Sequence, residues 1–184
     1  FQHMGRDLPP RARKAVAECL ERSHHTADEI DLVICCNISR LDGPHRFSFE
    51  PATAVRLRGE FGLHNAMAMD ISNACVGMFT AIGIVDAMLR LGMIRCGMVV
   101  SGEYISHLAE VAQKEIEGFM DPRLACLTVG DAGVAMTLET GPDDRVGFHD
   151  LQMYTLGRYS TLCIAEATDR SHGGAIMHSD PIRQ

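Results

Sequence analysis

The sequence predicts an α/β domain with a mostly parallel sheet, and three observations support this. Short apolar, β-rich runs recur along the chain, and longer segments with helical periodicity lie between them. Parallel strands need such crossover helices, because a tight turn cannot join two parallel strands. The 184 residues contain no internal repeat and no low-complexity linker. We therefore expect a single domain spanning residues 1–184.

The first third of the chain supplies the opening helix and strand. Residues 10–22 carry an apolar stripe at helical spacing, which predicts an amphipathic helix. Residues 32–38, LVICCNI, are too short for a helix and typical of a buried strand, in which Cys35 and Cys36 must point to opposite faces. A loop rich in glycine, proline and polar residues follows, and then a helix expected from Pro51 to near Gly62.

The remaining elements alternate in the same way. Residues 75–91 predict a long helix closed by Gly92, and this helix is apolar nearly all round, so we expect it to be buried between layers. The tail after residue 171 shows no clear period. The other expected elements are strands at 66–72, 96–102 and 146–157, a peripheral helix at 107–120, and a turn leading into a strand at 129–140.

Composition excludes several classes of protein. The net charge of −7 argues against general binding to nucleic acid or to an anionic membrane surface. No apolar run reaches the roughly 18–20 residues of a membrane span. The seven cysteines form no CxxC pair, so we expect reduced thiols in the cytoplasm, with no zinc site and no disulfide framework.

Cys75 lies at the junction between a predicted strand and the long apolar helix, in the stretch AMAMDISNACVGMFT. The positive end of the helix and its free N–H groups favour a thiolate there, which is the nucleophilic form. The same N–H groups can stabilise an oxyanion on an attacked thioester. Asn73 and Ala74 keep the entrance small, although Asn73 could simply cap the helix. From the residues alone, Cys75 could also be one more inert buried thiol.

Three motifs in order resemble the ketoacyl-ACP synthase III group of the thiolase fold: DISNACVGMFTAI, CGMVVSGEYIS and VGDAGVAMTLE. The resemblance implies a thiolase-like half, with a mixed, mostly parallel sheet and a buried nucleophile helix. It also implies that Cys75 carries an acyl group as a thioester, and that acyl-CoA or acyl carrier protein delivers it. The turn at Asp131 departs from the Gly-Asp-Gly-Ala-Gly-like pattern of the group, and we expect Asp131 to bond the backbone of its own turn.

The resemblance covers only the first half of a duplicated fold, so we expect the chain to be a fragment that lacks the C-terminal half with its catalytic histidine and asparagine. We expect none of the nine histidines to replace them: His24, His25 and His107 are predicted at the surface or at a cap, and His149 in a strand. A half-fold should expose one side of the Cys75 helix.

The resemblance also implies a homodimer. The loop GPHRFSFEP resembles the segment that closes the acyl pocket of the neighbouring subunit, with Phe49 as its wall and Phe47 as the second candidate. Equally, Phe49 could anchor the helix that follows. The strand at 96–102 resembles the one that continues the sheet across the two-fold axis.

Three functions stay open at this point. The resemblance implies a condensing enzyme, in which acyl-Cys75 is attacked by the carbanion of a decarboxylated malonyl thioester. This reaction implies no metal and no redox cofactor. An acyltransferase would pass the same acyl group to an alcohol or amine. A non-catalytic subunit would support the active site of a partner and never acquire an acyl group. The substrate-contacting residues predicted beside Cys75 are Phe49, Asn73 and Ala74.

Overall fold

A four-stranded mixed sheet forms the centre of the computed structural model, which describes residues 9–40, 50–143, 145–167 and 175–179. The strand order is β2-β1-β3-β4, with β1 parallel to both neighbours and β4 antiparallel to β3. The strands are β1 (Leu32–Cys35), β2 (Met67–Asp70), β3 (Cys96–Glu103) and β4 (Ala132–Glu139), and the helices are α1 (Pro10–Arg22), α2 (Thr53–Glu60), α3 (Gly77–Arg90) and α4 (Ser106–Glu115).

Helices cover both faces of this sheet, which gives three layers. Helices α1 and α2 pack on one face through a cluster that includes Val16, Leu57 and Cys35. Helix α3 packs on the other face through Ala81, Val85 and neighbouring side chains. Cys35 and Cys36 enter opposite clusters, as the alternation of a strand predicts. The mixed, mostly parallel α/β architecture is confirmed.

Helix α1 begins and ends at the predicted residues, and its first turn approaches the sheet unusually closely. Pro10 occupies the first helical position, where its missing N–H leaves no bond unmade. Gly102 of β3 and Gly133 of β4 face each other in the ladder. A Cβ at Gly102 would lie 2.1 Å from the backbone nitrogen of Ala12, and one at Gly133 would lie 2.4 Å from the Arg11 carbonyl oxygen. Two glycines therefore create the place where the helix rests on the sheet.

The position of β3 corrects one part of the dimer prediction, the strand expected to continue the sheet; the homodimer itself stays a prediction. Both edges of β3 are occupied within the chain, by β1 on one side and β4 on the other. It therefore has no free edge with which to continue the sheet across a two-fold axis. The edge strands of this four-stranded sheet are β2 and β4. On β2 the side chains of Met67 and Met69 are exposed.

The C-terminal third differs most from the prediction. Residues 146–157 form no strand; they run as irregular chain across α3, where Leu151 and Met153 lie against Gly83. A short hairpin, β5 (Cys163–Ala167) and β6 (Ala175–Ser179), was not predicted. It lies beside a 3₁₀ segment, Pro122–Thr128, where the Cys126 thiol donates to the carbonyl oxygen of Met177. None of the described helices is both long enough and apolar enough to cross a membrane.

Candidate active site

The carboxyl ends of the parallel strands β1, β2 and β3 meet at one edge of the sheet, where ligands of open α/β folds gather. Polar residues follow each strand there: Asn37 after β1, Asp70 at the end of β2 and Glu103 at the end of β3. Cys75 lies five residues beyond the end of β2. The sheet therefore positions the predicted nucleophile at the edge that suits a reactive group.

Asp70 fixes the end of β2 to the start of α2. Its two carboxylate oxygens accept hydrogen bonds of 2.8 Å from the backbone N–H groups of Thr53 and Ala54. These N–H groups belong to the first turn of α2, where no intrahelical partner exists. The aspartate of the nucleophile motif thus acts here as a cap on a neighbouring helix, and it anchors the strand that leads to Cys75.

The turn between β2 and α3 presents Cys75 to solvent. Ala74 has a φ of 41°, a left-handed conformation that a residue with a Cβ rarely adopts. Cys75 lies in the 3₁₀ turn Ala74–Val76, and α3 proper begins at Gly77, two residues later than predicted. The 3₁₀ turn leads directly into α3, so Cys75 stands at the N-terminal end of a continuous helical segment. Its side chain is exposed, so the alternative that Cys75 is an inert buried thiol is wrong.

Gly77 lets this helical segment touch the end of β1. A Cβ at Gly77 would lie 3.1 Å from the carbonyl oxygen of Cys36 and 3.3 Å from its Cβ. Cys36 itself donates its thiol to the carbonyl oxygen of Val100, and burial raises the pKa of that thiol to about 11. Cys36 is therefore a packing residue under the site and remains protonated at neutral pH.

Asn73 and Ala74, the predicted substrate contacts, directly precede Cys75 in the chain and are exposed like it. The Asn73 side chain does not cap the helix. Its Nδ2 donates to Thr80 Oγ1 at 2.8 Å, and Thr80 Oγ1 donates to the Val76 carbonyl oxygen at 3.1 Å. The amide thus braces the turn against α3. Contact of either residue with a substrate stays a prediction, and Phe49 and Phe47 lie outside the described residues.

Cys75 differs from most of the other cysteines in its surroundings. All seven cysteines are free, and only Cys75 and Cys163 are exposed. Burial is the main cause that raises the pKa of the remaining five thiols, Cys19, Cys35, Cys36, Cys96 and Cys126. Since the thiolate is the reactive form, these five are unsuited to nucleophilic attack at neutral pH.

The absence of a histidine partner for Cys75 stays a prediction. His107, however, is buried instead of lying at the surface, and its ring stacks on Tyr104 at 5.7 Å between centroids. His149 is exposed and lies in irregular chain, so its predicted strand is wrong. His25 is mostly covered, with 13% of its side chain exposed, although it too was predicted at the surface.

Two polar residues that lie at the carboxyl edge of the sheet, Asn37 and Glu103, were not predicted from the sequence. Asn37 extends the pairing of β1 with β3, since its amide donates to and accepts from the backbone of Gly102 at 2.9 and 2.8 Å. Glu103 accepts hydrogen bonds from the N–H groups of Ile38 and Ser39 and from the Ser39 hydroxyl. Their place directly after apolar runs is the signal that could have found them. Both hold the loop that leaves β1.

Asp131 has a structural role, but through a more distant contact than predicted. It accepts hydrogen bonds from the N–H groups of Ile105 and Ser106, at 2.7 and 2.8 Å. It also forms an ion pair with Arg11 at 3.0 Å. The expected bond to its own turn is replaced by a cap on α4. Burial acts to raise the pKa of Asp131, but these hydrogen bonds outweigh it and the pKa is lowered.

Known proteins resemble the chain in sequence over most of its length. The family described as 3-oxoacyl-(acyl-carrier-protein) synthase III matches residues 69–157, just under half of the chain. The beta-ketoacyl-(acyl-carrier-protein) synthase III of Acidiphilium cryptum is 29% identical over 151 residues, which is 81% of this chain and 42% of that protein. The corresponding protein of Novosphingobium aromaticivorans is 30% identical over 128 residues, 70% of this chain and 35% of that protein.

Solved structures give the same result for the fold. A cysteine-to-serine variant of Xanthomonas campestris OleA with bound lauric acid and lauroyl-CoA has a TM-score of 0.59 and 27% identity, covering 69% of this chain and 38% of that one. Cerulenin-bound OleA has a TM-score of 0.61 and 27% identity, covering 71% and 38%. The resemblance to the synthase III group and the thiolase-like fold class are confirmed. The chain spans about 40% of the length of these relatives.

Proposed function

We propose that this chain, a synthase III-like condensing-enzyme unit with a thiolase-like α/β fold, carries the acyl-accepting nucleophile of a condensing enzyme, and that Cys75 is that nucleophile. The observation that carries the proposal is the position of an exposed thiol at the N-terminal end of a helical segment, at the carboxyl edge of a parallel sheet. The partial positive charge at this end of α3 stabilises negative charge that develops on the reacting atoms.

The first step is the transfer of an acyl group from acyl-CoA or acyl carrier protein. The Cys75 sulfur attacks the thioester carbonyl, a tetrahedral oxyanion forms, and the carrier leaves as its thiolate while acyl-Cys75 remains. The backbone N–H of Cys75 lies in the first turn of this helical segment, where N–H groups lack partners earlier in the helix, and we assign it to the oxyanion. The left-handed φ of Ala74 sets the direction of that N–H, and we propose that the strained turn serves to aim it at the oxyanion.

The second step forms a carbon–carbon bond. A malonyl thioester loses carbon dioxide, the resulting carbanion attacks acyl-Cys75, and the Cys75 thiolate leaves as the product forms. The described residues around Cys75 supply no histidine for this step. We assign the polarisation of the malonyl thioester to the histidine and asparagine of a second half-fold, as the resemblance implies, and we expect this chain alone to be inactive in condensation.

An acyltransferase that makes an ester or amide would share the first step. The OleA structures favour an acyl-thioester donor in either case, because one of them contains lauroyl-CoA. The two functions therefore differ only in the acceptor of the acyl group. A non-catalytic subunit would not undergo the first step at all.

Denaturing intact-mass measurement after incubation with a panel of acyl-CoAs tests the proposal. We expect one acyl mass on the parent chain and on Cys163→Ser, which removes the other exposed thiol, and none on Cys75→Ser. Labelling that survives Cys75→Ser contradicts the assignment of the nucleophile, and a chain that is never labelled favours the non-catalytic subunit. For a labelled chain supplied with a second half-fold, malonyl-ACP should give a ketone with loss of carbon dioxide, whereas an ester or amide from an added alcohol or amine identifies the acyltransferase.

A further inference from the structure

A second cluster of reactive side chains lies at the opposite end of the sheet from the carboxyl ends of the parallel strands. It contains His24 and His25, which follow the C-terminus of α1, and Glu139, the last residue of β4. His24 Nε2 lies 3.2 Å from one carboxylate oxygen of Glu139, and His25 Nε2 lies 3.0 Å from the other. The two imidazole rings are 4.2 Å apart between centroids. We propose that this cluster, the His-His-Glu site, binds a divalent transition-metal ion, and that Zn²⁺ is the ion it suits.

The main argument for an ion is the buried ring nitrogen of His25, which lacks a hydrogen-bond partner. This nitrogen, Nε2, lies 3.0 Å from a Glu139 oxygen. The buried ring nitrogen is not aligned for a hydrogen bond with the carboxylate oxygen beside it, and a buried polar atom without a partner is unfavourable. A cation between the nitrogen and the oxygen removes that cost. Neutral imidazole nitrogen and carboxylate oxygen are both regular ligands of Zn²⁺.

The distances fit shared coordination. With metal–nitrogen and metal–oxygen bonds of about 2.1 Å, ligand atoms 3.0–3.2 Å apart subtend an angle of about 90–100° at the ion. All three ligand atoms lie within 4.8 Å of one another. Two ligand atoms with bonds of about 2.1 Å to one ion lie at most about 4.2 Å apart, so we expect the exposed His24 ring to move toward His25 when the ion binds. The remaining positions of the ion face solvent, because Glu139 and His24 are both exposed.

Nearby charge also favours a cation. Glu29 lies on the 3₁₀ turn that follows the two histidines, and its carboxylate accepts from the N–H and hydroxyl of Thr26. Glu29 lies close enough to His25 and His24 to interact with their side chains electrostatically. A second carboxylate is thus within electrostatic range of the His-His-Glu site. Bound metal would join the end of α1 to the end of β4 and stabilise their packing.

Calorimetric titration of the chelator-stripped 184-residue chain with ZnCl₂ tests this inference. We expect binding of one ion per chain, at least about tenfold weaker for His25→Ala and for Glu139→Gln, because loss of a ligand should cost no less than loss of an outer partner. His64→Ala, which changes an exposed histidine elsewhere, should bind like the parent. Zn²⁺ should raise the Tm of the parent and of His64→Ala, and leave that of Glu139→Gln nearly unchanged.

The seven thiols are the obvious competitors, and Co²⁺ separates them from the proposed ligands. Co²⁺ bound by nitrogen and oxygen gives visible ligand-field bands without intense thiolate charge transfer. A thiolate band in the parent overturns the inference, as does equal Zn²⁺ affinity of the parent and Glu139→Gln. Absence of any binding shows an ordinary ion pair of histidine with glutamate. Glu139 is an exposed residue at a strand end, so its variant should fold, which circular dichroism checks.

Discussion

Gly102→Ala should be strongly destabilising, because α1 rests directly on this residue. The added Cβ would lie 2.1 Å from the backbone nitrogen of Ala12, 2.3 Å from its Cα and 2.4 Å from its Cβ. Ordinary contacts of a Cβ begin near 3.4 Å, so the first turn of α1 would have to move by roughly 1 Å. The obstructing atoms belong mainly to the backbone and cannot rotate away.

The magnitude follows from two opposing effects. Overpacking of a rigid site costs about 1–3 kcal/mol and occasionally more, and the short distances here place Gly102→Ala at the upper end. Replacement of a strand glycine returns roughly 0.5–1 kcal/mol through lower entropy of the unfolded chain. We expect a net loss of about 2 kcal/mol, a large share of the 5–15 kcal/mol typical of a domain.

Urea unfolding followed by circular dichroism measures this change, and Gly59→Ala is the matched control. Gly59 lies on α2 with no atom within 4 Å of the added Cβ, so the same chemical change should stabilise by about 0.5–1 kcal/mol. Opposite signs for the two variants support the close approach of α1 to the sheet. If Gly102→Ala unfolds at the same urea concentration as the parent, with an unchanged m-value, α1 does not rest there.

Three further predictions concern the turn at Cys75 and the helix caps. Asp70→Asn should lower the free energy of unfolding by about 1–2 kcal/mol, since an amide presents only one oxygen to the two N–H groups that Asp70 caps; urea unfolding measures the loss, and an unchanged midpoint refutes the cap. Ala74→Val should destabilise by about 1 kcal/mol or more while Ala74→Gly is neutral or stabilising, because of the left-handed φ; equal midpoints would contradict that conformation. Because the pKa of Asp131 is lowered in the folded chain, the unfolded chain binds more protons as the pH falls through the ordinary aspartate range near 4, and stability is lost there. Asp131→Asn should therefore flatten the dependence of the free energy of unfolding on pH in this range. A dependence as steep as that of the parent refutes this role of Asp131.

Local patterns predicted the first half of the fold well. The bounds of α1 follow from its apolar stripe and from Pro10, and the full burial of β1 follows from its continuous apolar run. Such elements are fixed by side chains that are near in sequence and bury against one core. A strand, small residues and a long apolar segment drew attention to Cys75, but its assignment as the nucleophile came from the resemblance and stays a prediction.

The missed features depend on long-range contacts that periodicity does not encode. Apolar alternation in residues 146–157 predicts a strand, but a strand needs a partner edge, and this segment instead lies across α3. The interior position of β3 depends on β4, which follows it by almost thirty residues. The cap that Asp131 provides and the pairing of Glu139 with two histidines join residues more than twenty apart along the chain.

The most direct test of the account is the location of the acyl group after reaction with lauroyl-CoA. Proteolysis and mass spectrometry of the parent chain should place it on the peptide that contains Cys75, with the Cys163 peptide unmodified although its thiol is also exposed. This result would show that the end of α3, and not exposure alone, makes a thiol reactive. Equal labelling of both peptides, or labelling of Cys163 alone, would contradict the assignment of Cys75 as the nucleophile.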